Sequence, residues 1–490
     1  MKFKEKYFLI LLIAGALFLN FFKLYDCFNL TGDPGRDAVA VRDIIVEGKM
    51  TLLGPKASAG GFYYGPWYFY LLVPFYLISG LNPIGGTYLT ALSGVFAVLL
   101  MYFIGKEMFG KKAGVLSCLI YLVSPFILNQ NRYAWNPSLV PVASLLSFWF
   151  FYKYLKDGSW KNLLLWGVFF GLGLHFHFVL IFCLPVYLIM FFVGRKKKRS
   201  YLGLGVSFIA VGMFFLPTLI FELRHDFITM KGLLEFIKHG VEEGKVYHPG
   251  MGIGYFLSLI GDLFKKIVFN GKYSELYFSV LFVLGFGFFI VKKKLKEVDS
   301  FSFRYLLGIV FGSLFYLGFY SGPVHPYYCI FLAFGACFIV GYLLGKILDI
   351  GRVFRLFGYL GMFFLVLGNM LVFSLDICPA RTIRDQIDVA RLIARDKMGG
   401  DEKINVVMFS KQDAAHSAFE YRYLVEYLGR DCLRAENYKN ADKLYIVDEV
   451  GVEEIVESPV MEIRDFEAGK IEKEWVSEKG YKIYRIGKKR

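Results

Sequence analysis

The chain has 490 residues, of which 56% are hydrophobic and 20% charged, with a formal net charge of +15 and a mean hydropathy of +0.49. Soluble domains carry about 25% charged residues, and this chain has too little polar surface to cover its apolar content. A soluble enzyme, a disordered chain and a disulfide-stapled secreted module are therefore excluded, and a polytopic membrane protein remains. The Lys and Arg residues fall largely in short gaps between apolar runs, the orientation signal of membrane proteins, which argues against nucleic acid as a partner.

In chain order, apolar runs long enough for a span or nearly so lie at 7–25, 63–81, 86–105, 113–130, 138–155, 162–176, 177–193, 201–221, 275–292, 304–321, 327–346 and 354–375. The first follows MKFKEK without a small-residue cleavage site, so it reads as a retained span and not a signal peptide. The stretch 162–193 is too long for one helix and is split at His175-Phe176-His177. Basic clusters sit at Lys2 to Lys6, Lys106 to Lys112, Lys153 to Lys161, Arg195 to Arg199, Lys292 to Lys296 and Lys346 to Arg355. All fall on one side only if one early run does not cross. The run 63–81, crowded with aromatics and broken by Pro66 and Pro74, is the natural exception and is expected to lie at the outer interface. The expected topology has about eleven spans plus interfacial helices, N-terminus inside and C-terminus outside, in a cytoplasmic (plasma) membrane.

This leaves outside a long segment 26–85, a turn from Asn129 to Pro137, a segment 222–274 with amphipathic stretches near 228–238 and 252–268, and a tail from about 377. The tail alternates helix-like stretches (Thr382 to Lys397, Ala415 to Leu428) with strand-like runs (Ile404 to Phe409, Lys443 to Val447, Tyr481 to Ile486), as a small α/β domain does. The expected fold class is thus mainly α: a transmembrane helical bundle over 1–376 and a soluble extracytoplasmic α/β domain over 377–490. Seven cysteines are scattered without a CxxC, and a Cys27–Cys378 or a Cys378–Cys432 bridge would suit the outer side.

Chemistry concentrates in Thr31-Gly-Asp-Pro-Gly-Arg-Asp-Ala38, directly after the first span. Asp33 and Asp37 flank Arg36, and Asp33-Pro34 suits the start of a helix. Two readings stand at this point: a reactive carboxylate, or a helix cap with surface ion pairs. The outer-facing cations are Arg36, Arg42, Lys56, Arg132, Arg224 and His325. Arg132 suits either a phosphate or an interfacial, snorkelling position. His175 and His177 could share an ion only on an extended stretch, with no Cys or carboxylate nearby in sequence, so a divalent metal stays open.

The segment Asp33-Pro-Gly-Arg-Asp-Ala38, then Leu53-Gly-Pro55, Gly60-Gly61 and Tyr64-Gly-Pro-Trp-Tyr68, resembles the GT-C superfamily of membrane glycosyltransferases. The nearest branches are the protein O-mannosyltransferases and the lipid A aminoarabinose transferases. The resemblance covers roughly residues 7–200 well and the later spans loosely. It implies inverting transfer of a sugar from a polyprenyl-phosphate donor to a hydroxyl of a protein, lipid or glycan, at the outer face and within membrane lipid. Asp33 is then the base that takes the acceptor's proton, with Asp37 either an alternative base or an orienting group. The donor phosphate or sugar falls to Arg36, Lys56, Tyr64, Arg132, Asn136, His325 and Tyr328. Many relatives have a second acid where this chain has Asn136, and the aminoarabinose branch has a lysine where it has Tyr64. A lipid-linked-sugar flippase and an O-antigen-ligase-like or polymerase enzyme are the rival readings. The flippase would need ionisable groups at mid-span, and the ligase-like enzyme a late reactive loop.

Overall fold

The computed structural model describes residues 3–57, 61–194, 200–239, 253–269, 300–320, 324–375, 378–397, 402–410 and 417–489. The apolar run 275–292, the basic clusters Arg195 to Arg199 and Lys292 to Lys296, Gly60, and Ser321 to Pro323 lie outside these. The chain forms two compact units, 1–22 with 51–71 and 87–377, and 23–50 with 72–86 and 378–490.

The first unit is helical. Among the described residues, Ile84–Phe109, Asn136–Asp157, Tyr201–Arg224, Pro326–Ile350 and Arg352–Ser374 are long and apolar enough to cross a membrane. Lys111–Leu122 and Pro125–Asn131 together add a sixth, bent by 64°. The bend has a local cause. Ser124 is extended, its hydroxyl accepts from the Ile127 amide, and Pro125 opens the second helix, where a missing N–H costs nothing. The split near His175 is also present. His177 is extended and caps the 3₁₀ turn Phe178–Cys183 through its ring, ahead of Leu184–Val193. The aromatic run 63–81 yields a helix only over Trp67–Ile78, 12 residues long. At 1.5 Å per residue that is about 18 Å, too short for a hydrocarbon core of about 30 Å. The amphipathic stretches form Ile228–His239 and Ile253–Ile267. Pro326–Ile350 is almost wholly buried, whereas Tyr201–Arg224 turns Leu202, Ile209 and Leu223 outward, the distribution expected of a central and a lipid-facing helix.

The second unit holds a four-stranded sheet in the order β1-β2-β4-β3, with β1 Ile404–Phe409, β2 Lys443–Asp448, β3 Ala468–Val476 and β4 Lys482–Lys488. β1 and β2 are parallel, and the helix Phe419–Tyr427 lies on the crossover that a parallel pair requires. Val407, Leu444, Ile446, Phe466 and Ile486 lie in its core. The amphipathic helix Ile383–Ala394 opens the domain with a capping box between Thr382 and Asp385. The sequence had suggested three of the four strands; β3 was not among them, because its alternation is interrupted by two register shifts. Residues 23–50 belong to the same compact unit as this sheet, although the sequence reading had grouped 26–85 with the membrane spans.

Candidate functional site

In the second unit, Thr31 is extended and the helix Gly32–Val46 begins at once, with Asp33 in its first turn beside the positive end of the helix dipole. One helical turn on, Arg36 forks between two acids. Its Nη1 donates to Asp33 Oδ1 at 2.8 Å, and its Nε and Nη2 donate to Asp37 Oδ1 at 3.0 and 2.8 Å. The two carboxylates differ in environment. The Asp33 side chain is 37% exposed and the Asp37 side chain 2%. Asp37 Oδ2 is buried with no hydrogen-bond partner among the described residues. Burial pushes the Asp37 carboxyl up to about 6, with Arg36 pulling it down and the neighbouring Asp33 charge adding to the rise. Asp33 is therefore the more accessible of the two carboxylates, and Asp37 the one that anchors the arginine. Arg42 faces Glu426 and Glu47, at 3.4 and 3.7 Å.

The other sequence candidates belong to the first unit. Residues 54–57 and 62–64 pair as a narrow ribbon, with Gly54 donating to the Tyr64 carbonyl, Tyr64 to the Pro55 carbonyl, and Lys56 bridged to Tyr63. Lys56 is exposed on it. Two close approaches demand glycine. A Cβ on Gly54 would stand 2.0 Å from the Gly65 carbonyl oxygen, and one on Gly65 would stand 1.6 Å from His175 Nδ1. The ribbon delivers Tyr64 to an aromatic cluster, where its ring lies 5.0 Å from Phe178 and 5.5 Å from His177. His177 in turn meets Tyr327 at 5.6 Å and Tyr328 at 5.3 Å, and the exposed His325 stacks on Tyr327 at 5.5 Å. Tyr64, His325 and Tyr328 are thus brought together by His177, which the sequence had raised only as a metal ligand. The His-Phe-His helix break was the available signal.

Two candidates have local structural tasks. Arg132 Nη1 donates to the carbonyls of Leu19, Asn20 and Phe22 at 3.0–3.3 Å, where a cation offsets the negative end of the helix Phe3–Phe21. Asn136 is buried and its amide donates to the Phe176 carbonyl at 2.5 Å, the last residue of Trp160–Phe176. Arg224 is exposed in the last turn of its helix. Among the described residues no three His, Cys, Asp or Glu side chains converge to hold a metal ion. His177 Nδ1 already accepts from the Val179 amide, so the His175–His177 pair does not fit a shared ion.

Over residues 64–221 the sequence matches the family model of dolichyl-phosphate-mannose–protein mannosyltransferases. Similarity of structure extends further. ArnT from Cupriavidus metallidurans bound to undecaprenyl phosphate superposes with a TM-score of 0.61 at 13% identity, covering 98% of both chains. The oligosaccharyltransferase AglB from Archaeoglobus fulgidus, in complex with an inhibitory peptide and a dolichol-phosphate, gives 0.54 at 13% identity, over 91% of this chain and 70% of that one. This chain has the GT-C membrane glycosyltransferase fold. No curated protein matches it in sequence. Within the GT-C frame, the family match begins at Tyr64 in the ribbon and spans the His175–His177 break, while the Asp33 helix lies before it.

Proposed function

We propose that this protein is a glycosyltransferase that moves a sugar from a polyprenyl-phosphate donor to a hydroxyl acceptor at the outer face of the membrane, with inversion at the sugar carbon. The supporting observation is the pairing of a full-length likeness to ArnT bound to undecaprenyl phosphate with an accessible carboxylate held in one orientation by an arginine fork. The acceptor oxygen attacks the anomeric carbon, its proton passes to Asp33, and the bond from that carbon to the phosphate oxygen breaks. Polyprenyl phosphate leaves with the bonding pair. One base suffices, because the leaving phosphate carries its own charge. Arg36 fixes Asp33 for this step, and Asp37 fixes Arg36. Among the donor-side candidates, Lys56 and His325 are exposed cationic or polar groups suited to the phosphate, and the half-buried Tyr328 is a ring surface suited to the sugar or the isoprenoid, with the buried Tyr64 packed beside His177 to support that aromatic cluster.

The Cys27–Cys378 disulfide supports an extracytoplasmic second unit, since structural disulfides persist in oxidising compartments. With the N-terminal basic residues, this favours the N-terminus inside a cytoplasmic membrane and the C-terminal domain outside. The test is donor binding and turnover by purified protein. Undecaprenyl phosphate is expected to quench the intrinsic tryptophan fluorescence saturably, and a polyprenyl-phosphate sugar to be converted to polyprenyl phosphate. Saturable binding of neither lipid would remove the reading.

A further inference from the structure

The helix that carries Asp33 is seated on residues 378–490 by three kinds of contact, all within the second unit. The first is backbone pairing at its approach. The Ile383 amide donates to the Phe28 carbonyl at 2.6 Å, and the buried Gln386 side chain closes both polar groups of Leu30, at 2.9 and 2.5 Å. The second is shape. A Cβ on Gly35 would stand 2.6 Å from the Glu420 amide nitrogen and 2.9 Å from its Cα, so the helix meets the start of Phe419–Tyr427 backbone to backbone. The third is charge at the far end, where Arg42 faces Glu426 and Arg434 bridges Asp43 and Glu47. Gly35 lies between Asp33 and Arg36, so the backbone contact falls inside the reactive cluster itself.

We propose that the C-terminal domain is the seat that sets the position of the Asp33 helix, with Gln386, Glu426 and Arg434 as positioning residues for the Asp33–Arg36–Asp37 cluster. This rests on the assignment of Asp33 as the base. The domain is then part of the catalytic apparatus, not a detachable acceptor module or a cap. A seat built this way has a specific signature. Loosening it moves the base relative to the acceptor and leaves the donor-side groups of the first unit untouched. The turnover number falls while the KM for donor holds.

Two measurements on the full-length protein test this: hydrogen–deuterium exchange over 32–46, and turnover of a polyprenyl-phosphate sugar. Arg434→Ala, Glu426→Gln and Gln386→Leu are each expected to speed exchange over 32–46 by about tenfold, in line with a loss near 1.4 kcal/mol of local stability, with exchange in β1, β2 and β4 unchanged. Turnover is expected to fall by a similar factor at constant donor KM. The charge-swapped pair Asp43→Arg with Arg434→Asp is expected to recover both, as Arg434→Lys does in part. If Arg434→Ala unfolds the sheet as well, the swapped pair and Arg434→Lys decide. Wild-type exchange and turnover in Glu426→Gln and Gln386→Leu, failure of the swapped pair to recover them, or a rise in donor KM at constant turnover, would overturn the seat. If exchange responds as stated but Asp33→Asn keeps full turnover, the base assignment falls and the seat has no catalytic role.

Discussion

At the scale of single residues, two carboxylates four positions apart on one helix have opposite environments, and the roles proposed for them rest on that difference. Asp33 is reachable and Asp37 is sealed, and Arg36 ties one to the other. The family resemblance ranked Asp33 ahead of Asp37, but spacing alone left both acids open, because it reports that they share a helix face and not which of them the rest of the chain covers. Burial of Asp37 has a cost that pH reveals. Between the ordinary carboxyl value of 3.8 and about 6, the folded protein holds a proton that the unfolded chain has released, so folding stability falls as pH rises through that window. The loss by neutral pH is roughly 3 kcal/mol, taking 1.36 kcal/mol per pK unit. Asp37→Asn should remove this dependence. Its melting temperature is expected to exceed that of the wild type at pH 7 and to match it more closely near pH 4, while its turnover drops because Arg36 loses its anchor. Turnover of the wild type is likewise expected to decline as pH falls below about 6, where Asp37 takes up a proton and releases its charge on Arg36.

At the scale of elements, the ribbon of 54–57 with 62–64 and the break at His177 belong together. Gly65 is pressed against His175, and Tyr64 reaches the ring of His177 two residues on. The sequence showed the glycines and the aromatics but not their partners, which lie more than a hundred residues away. Gly65→Ala is expected to destabilise the protein by about 1–3 kcal/mol, since the histidine ring must move to admit a methyl group, as thermal unfolding in detergent would report. Tyr64→Ala removes a buried ring, so it is expected to cost about 3–5 kcal/mol of stability and, in the protein that remains folded, to raise the KM for the donor, a result opposite in kind to that expected from the seat variants. The span helices were legible because apolar runs of about 20 residues have no other stable home. The helix break at His175 to His177 was legible because a polar pair interrupts the run, whereas the bend at Pro125 lies inside the run 113–130, which reads as one span.

At the scale of the whole molecule, each unit is assembled from segments distant in sequence, and a linear reading is blind to that. Cysteine count left two bridges open on the outer side. The structure closes Cys27 with Cys378, 351 positions apart, and leaves Cys432 as a free thiol. Both bridged residues lie in the second unit, joining the chain that leads into the Asp33 helix to the start of the C-terminal domain. Reduction, or Cys27→Ser with Cys378→Ser, is expected to cost about 2–5 kcal/mol and to lower the melting temperature. The GT-C resemblance, drawn in sequence from a few short motifs, extends in structure along the full length of ArnT. Its most direct test is the rate at which purified wild type and Asp33→Asn release polyprenyl phosphate from a polyprenyl-phosphate sugar, at matched folding and matched binding of undecaprenyl phosphate. Loss of a proton-accepting carboxylate is expected to slow release by about 10²–10⁴-fold; release at the wild-type rate would contradict the assignment of Asp33 as the base.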